Sequence, residues 1–149
     1  MPSDSILDLF QHLPQQRFET GEFLIKEGEH HNKLLILVQG GLEVLKGDLR
    51  VAVSRKPGAV FGEISVLLNV PHTASVRAME PSNCHVLEDP LTFLEGHPQA
   101  ALHVSKILAR RLDSLTRYLV DVKEQFREQE GHISMVDEVL ETLLHFQTR

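Results

Sequence analysis

The stretch Phe61-Gly62-Glu63-Ile64-Ser65-Val66-Leu67-Leu68-Asn69-Val70-Pro71-His72-Thr73-Ala74-Ser75-Val76 reads as a turn, one short helix, a loop and a strand. Its residues suit the holding of a small anion. Gly62 admits a backbone conformation closed to other residues, which lets the amides of Glu63, Ile64 and Ser65 converge at a helix start, where peptide dipoles favour negative charge. Pro71 is expected to end the helical run. His72 and Thr73 then open the next strand, where a ring nitrogen and a hydroxyl could face the same amides.

Outward from this stretch the chain is punctuated like an all-β roll. Between Arg17 and Leu45, short apolar runs (Phe23-Leu24-Ile25, Leu34 to Val38, Val44-Leu45) are broken by Gly21, Gly28 and Gly40-Gly41. Gly47-Asp48 is a turn, and Leu49-Arg50-Val51-Ala52-Val53 alternates so that its odd positions are expected in the core. Pro57-Gly58 turns the chain into the stretch above. After it, Ala74, Val76 and Ala78 share one strand face, and Thr73, Ser75 and Arg77 the other. Arg77 is expected to be solvated. Pro81-Ser82-Asn83 reads as a turn, Cys84 to Leu87 as the last strand, and Cys84 as a small buried hydrophobe.

Helices flank these strands. Ser3 to Leu13 carries Ile6, Leu7, Phe10 and Leu13 at helical spacing, with Ser3 or Asp4 as cap and Pro14 as stop. Asp89-Pro90 starts a short helix that Gly96-His97-Pro98 ends. From Leu108, the positions Leu108, Leu112, Leu115, Leu119, Val122 and Phe126 advance in steps of four and three, the seam of a two-helix coiled coil, although one such stripe could also lie on the roll. Gly131 interrupts that helix, and Ser134 with Asp137 looks like a capping box before a last amphipathic segment. Either the coil runs on through the glycine or a separate helix folds back; the second is preferred.

The order F-G-E-I-S, short loop, P-x-T-A-S-V resembles the phosphate-binding cassette of the cyclic nucleotide-binding domain family. Gly21, Gly28-Glu29 and Gly41-Leu42-Glu43-Val44 also stand where that family keeps its turn glycines. The resemblance implies a mainly β fold: an antiparallel, jelly-roll-like β-roll with an N-terminal helix, a short cassette helix and C-terminal helices. It is similar to the regulatory domains of catabolite activator-type proteins and cyclic nucleotide-gated channels. The implied organisation is a β-roll over 1–98, a long dimerisation or lid helix over 99–129, and an extra amphipathic helix over 132–149.

The implied ligand is cAMP or cGMP, with no other cofactor and no metal. The implied ligand-binding set is Gly62, Glu63, Ile64, Ser65, His72, Thr73, Ala74, Arg111 and Leu115. In the family, the cassette glutamate, here Glu63, accepts a hydrogen bond from the ribose 2′-hydroxyl. Ser65, Thr73 and Ala74 match phosphate contacts, Ser65 and Ala74 chiefly through backbone amides. Where the family keeps an arginine for the cyclic phosphate, nine residues after the glutamate, this chain has His72, so binding is expected to be weak. Imidazole cannot make the bidentate charged contact of a guanidinium. Arg111-Leu112-Asp113 is similar to the channel helix whose arginine, with an apolar residue one turn later, covers the purine; a plain coiled-coil flank would look the same. The resemblance also implies a homodimer through 105–126, and a regulatory or sensory role. The alternative is a degenerate, ligand-free domain serving as a dimeric interaction module, with a protein partner on the last helix.

Composition bounds the rest. At 149 residues the chain suits one domain plus an appendage. The charge of −6 argues against a general nucleic-acid surface, which needs clustered Lys or Arg. A DNA-reading helix is also not expected after the last segment. No stretch approaches the roughly 20 apolar residues of a membrane span, Met1 to Ser5 lacks signal-peptide character, and one cysteine fits a reducing compartment, so a cytoplasmic location is expected. Catalysis is not expected. His30-His31, His85, His97, His103, His132 and His145 lack metal-ligand spacing and read as scattered surface residues, and no nucleophile elbow or P-loop is present.

Overall fold

The structure, a computed structural model, describes residues 7–127 and 130–147. Eight strands appear among them: β1 Gln15–Phe18, β2 Phe23–Ile25, β3 Leu34–Gln39, β4 Leu42–Lys46, β5 Leu49–Ser54, β6 Val60–Phe61, β7 Ser75–Ala78 and β8 Ser82–Leu87. Four helices accompany them: α1 Glu63–Leu68, α2 Pro90–Gly96, α3 Pro98–Gln125 and α4 Glu130–Gln147. The chain forms two compact units, 1–105 and 106–149.

In the first unit, two four-stranded antiparallel sheets, ordered β1-β8-β3-β6 and β2-β7-β4-β5, enclose one core. This is the expected β-roll with flanking helices. Its core takes Phe18, Ile25, Leu35, Leu37, Leu42, Phe61, Val76, Ala78, Cys84 and Val86 from every strand but β5. Each fully buried Leu or Ile stabilises by roughly 1.5–3 kcal/mol relative to exposure. The run Leu34 to Leu37 is buried throughout because its sheet is covered on both faces: Leu35 and Leu37 enter the roll, while Leu34, Ile36 and His85 are buried on the other side. Phe10 closes that side against the His85 and Phe93 rings, with centroids 6.3 and 5.7 Å away.

Several sequence expectations need correction. Leu49, Val51 and Val53 are 68%, 54% and 42% exposed, because β5 is an edge strand paired only with β4 and no layer covers it. Ser82 and Asn83 belong to β8 and not to a turn. The buried Ser82 hydroxyl accepts the Gly41 N–H at 3.1 Å and donates to the Glu80 carbonyl at 2.8 Å, which satisfies the preceding turn from within the strand. Arg77 is not simply solvated: its Nε donates to Glu43 Oε1 at 3.0 Å and its guanidinium lies 5.6 Å from the Phe23 ring centre. Asp89 stands at the α2 N-cap without a side-chain cap bond, and Pro90 follows at the first turn. Among the described residues near the N-terminus, Leu7 and Asp8 are helical, followed by turns in which Phe10 N–H reaches the Leu7 carbonyl and Leu13 N–H the Phe10 carbonyl. The proposed caps Ser3 and Asp4, and Ile6, lie outside the described residues.

In the second unit, Lys123 Nζ forms an ion pair with Asp137 Oδ1. Fourteen residues along one straight helix would separate them by about 21 Å, so α4 folds back on α3. Because α4 starts at Glu130, Gly131 lies inside its first turn and Ser134 is too deep to cap it. Val136 is buried, and Leu112, Leu119, Val122 and Phe126 are half-buried.

Candidate functional site

The cassette is built by the chain entering from β6 and turning at Gly62. Gly62 has φ +91°, and a Cβ there would lie 2.9 Å from the Lys33 carbonyl oxygen and 3.3 Å from His72 Cε1, so both backbone conformation and space require glycine. Helix α1 follows for six residues, with Val66 N–H donating to Gly62 O at 3.1 Å. It stops at Asn69, not at Pro71 as expected: Asn69 takes a left-handed conformation, φ 55°, that asparagine tolerates. The Ser65 hydroxyl donates to the Val70 carbonyl at 2.6 Å and locks the loop. That leaves Ser65 only its backbone for a ligand.

The loop between β2 and β3 is fastened to the cassette by two backbone bonds. Gly28 N–H donates to the His72 carbonyl, and His72 N–H to the Glu29 carbonyl, each at 2.8 Å. This clamp brings His31 onto His72: the ring centres are 4.3 Å apart and His72 Nε2 is 3.3 Å from His31 Nδ1. His72 is buried, 4% exposed. Burial holds its imidazole below the ordinary histidine range, seconded by the neighbouring His31, while a backbone bond to His31 and the Glu29 charge oppose the effect. The same loop sets His30 Nε2 3.3 Å from Asn69 Oδ1.

Thus Gly62, Glu63, Ile64, Ser65, His72, Thr73 and Ala74 are assembled within the roll unit. Glu63 and Ser65 are buried and Ile64 is 42% exposed. The Thr73 side chain is exposed, and its carbonyl accepts a bond from Lys46 Nζ. Lys46 also approaches Glu27 Oε2 at 3.6 Å, and Glu27 Oε1 accepts the Gly47 N–H at 2.9 Å. Arg111 and Leu115 stand on exposed positions of α3 in the second unit.

Sequence reading missed His31 and Lys46, which lie far from the cassette in the chain. Of the histidines read as scattered surface residues, His30 and His97 are exposed, His85 and His103 are not, and the side chains of His132 and His145 lie outside the described residues. His85 is buried with Nδ1 3.2 Å from the Leu13 carbonyl, and His103 Nε2 is 2.9 Å from the Gly58 carbonyl. Among the described residues no group of three or more His, Cys, Asp or Glu could hold a metal, and no helix is long and apolar enough to cross a membrane.

The family model of the cyclic nucleotide-binding domain matches residues 15–91. A cGMP-dependent protein kinase of Caenorhabditis briggsae is 27% identical over 141 residues, 89% of this chain and 19% of the kinase. Mouse cGMP-dependent protein kinase 2 is 35% identical over 74 residues, 50% of this chain and 10% of the kinase. The chain therefore spans a fifth or less of these relatives. Among solved structures, PKAR CBD2 bound to Sp-2Cl-cAMPS superposes with TM-score 0.59 at 25% identity, covering 77% of this chain and 75% of that one. The Thermus thermophilus catabolite activator protein superposes with TM-score 0.64 at 20% identity, covering 96% and 84%, and so shares the fold. With the roll, the turn glycines and the cassette in place, the chain belongs to the cyclic nucleotide-binding domain family.

Proposed function

We propose that this chain is a regulatory module that binds cAMP or cGMP weakly in the cassette of Gly62, Glu63, Ile64, Ser65, His72, Thr73 and Ala74, and performs no catalysis of its own. The observation that carries this reading is the formed cassette itself, with Gly62 in its left-handed turn and the buried His72 where family members keep arginine. Glu63 is assigned to the ribose 2′-hydroxyl, and Arg111 with Leu115 to the purine. Ligand energy acts on the C-terminal helices only through its differential affinity for their two arrangements. The chain is further proposed to work as a homodimer through 105–126, in the cytoplasm, without nucleic acid or membrane as partner.

Calorimetric titration of the full chain with cAMP and cGMP tests this. Weak binding is expected, strengthened by about 1.5–3 kcal/mol in His72→Arg, the worth of a charged hydrogen bond. Glu63→Ala should weaken cAMP and leave 2′-deoxy-cAMP almost unaffected; equal losses would make Glu63 structural.

One observation favours a second reading, a ligand-free interaction module. Leu115, Tyr118 and Val120 of α3 and Met135, Val139 and Leu144 of α4 are between 40% and 64% exposed, apolar area that a protein partner would cover. Absence of nucleotide binding in both wild type and His72→Arg would support it.

A further inference from the structure

We infer that His31 and His72 act as one cation site, in which a single proton taken from solvent supplies the positive charge that an entering cyclic phosphodiester needs. His72 is the charged member and His31 positions it. This rests on the cyclic nucleotide reading above and adds to it a second residue and a proton.

The hydrogen-bond geometry decides which nitrogen does what. His31 Nδ1 faces two neighbours, the Lys33 N–H at 3.4 Å and His72 Nε2 at 3.3 Å. A backbone N–H can only donate, so His31 Nδ1 is the acceptor and His31 carries its proton on Nε2. His72 Nε2 must then be the donor, which leaves His72 Nδ1 as the nitrogen that takes up the extra proton. The result is an imidazolium donating to a neutral imidazole, a charge-assisted bond stronger than the neutral one it replaces. A second proton would have to enter at His31 Nδ1 and break the pair, so the site takes one proton and not two.

The surroundings suit a charge that is absent until ligand arrives. Around His72 the β2–β3 loop presents His31, Glu29 and His30. Lys33, whose carbonyl abuts Gly62, turns its ammonium towards Glu88 at 3.9 Å. Lys46 is engaged by the Thr73 carbonyl and Glu27. Burial keeps His72 neutral near pH 7 in the empty protein. An anion reverses that preference. Ligand and proton therefore enter together, whereas an arginine would bind the same phosphate at any pH.

The test is calorimetry of the full chain with cAMP and cGMP in phosphate and Tris buffers between about pH 6 and pH 8. Between the free and bound titration points, affinity should rise about tenfold per unit fall in pH, with about one proton taken up per nucleotide. His72→Arg should abolish both effects while still binding. His31→Leu should displace the profile to lower pH and weaken binding several-fold near neutrality. His31→Asn, whose Oδ1 can replace Nδ1 as acceptor, should keep the wild-type profile; a uniform loss in both His31 variants, with the profile unmoved, would reduce His31 to packing. Nucleotide binding at constant strength across the range, with no proton uptake, overturns the shared-proton site and leaves the nucleotide reading intact. If neither wild type nor His72→Arg binds nucleotide, the reading itself fails. The ring resonances of the ligand-free protein then decide the pair: linked shifts of His31 and His72 for one proton support it, and two independent titrations sink it.

Discussion

Glu43 and Arg77 sit directly opposite each other on β4 and β7, and the Glu43 carboxylate, 4% exposed, is gripped from both sides, by Arg77 Nε at 3.0 Å on Oε1 and Arg50 Nη2 at 2.9 Å on Oε2. The Arg77 bond, outweighing the opposing effect of burial and seconded by Arg50, holds this carboxyl below its ordinary range. A depressed carboxylate stabilises the fold at pH above its unfolded value, near 4.3, and loses that contribution as pH falls through the folded value. Glu43→Gln should therefore lower Tm at pH 7 and flatten the fall of Tm below about pH 4.5. An unchanged acid limb in that variant would show that other carboxylates govern acid unfolding.

His72 has a pH dependence of the same sign in a higher window. Its folded value is depressed, chiefly by burial, so the unfolded chain takes up the proton first as pH falls through about 6.5. Stability from this residue is whole above that point and is lost below it. Thermal melts of the ligand-free protein should show Tm falling from pH 7.5 towards pH 5.5, less steeply in His72→Gln. Equal slopes would mean His72 is not the group responsible.

The glycines rank themselves by space. Gly40→Ala places a Cβ 2.6 Å from the Ser82 Cα, and Gly62→Ala places one 2.9 Å from the Lys33 carbonyl, both at positive φ. Gly21→Ala meets open space and bears only the backbone strain. Urea unfolding should give losses of about 1 kcal/mol for Gly21→Ala and clearly more for the other two, with Gly40→Ala the largest. A Gly62→Ala loss no greater than that of Gly21→Ala would mean that the cassette turn relaxes freely.

The proposed seam on α3 can be tested by substitution. Leu115, 45% exposed on α3, has half-buried Leu112 and Leu119 one turn to either side. Leu115→Asp with Leu119→Asp should convert a dimer into a folded monomer, because the roll has its own core. Sedimentation of the wild type at micromolar concentration checks this. A wild-type monomer, or an unfolded double variant, would show that α3 and α4 of one chain satisfy the stripe by themselves.

The parts of this fold that were legible in the sequence are those set by local chemistry. A left-handed turn at Gly62, six helical residues and a strand follow each other within one short stretch, so residue type and order suffice. The alternation of β5 also showed correctly which residues share a strand, but alternation does not reveal whether any layer lies above them. Leu49, Val51 and Val53 consequently looked like core and are edge. The same limit hid the partners of His72 and Arg77. His31 and Glu43 are 41 and 34 residues away in the chain and are delivered by strand register and a backbone clamp, which leave no periodic mark. The return of α4, preferred in the sequence although the heptad phase ran on across the break, rests in the structure on one ion pair, Lys123 with Asp137.

Cys84 gives the molecule a built-in clock. It is the only cysteine in the chain, lies at 0% exposure on a strand flanked by β1 and β3, and burial pushes its thiol up to about 12. While both neighbouring strands are seated, the thiol is held protonated and shielded from solvent. Any reaction with an aromatic disulfide must therefore wait for the sheet to part, and its rate counts those openings without a single substitution. Added nucleotide that tightens the roll would slow the count, which turns an unremarkable buried sulfur into a meter of ligand-induced rigidity.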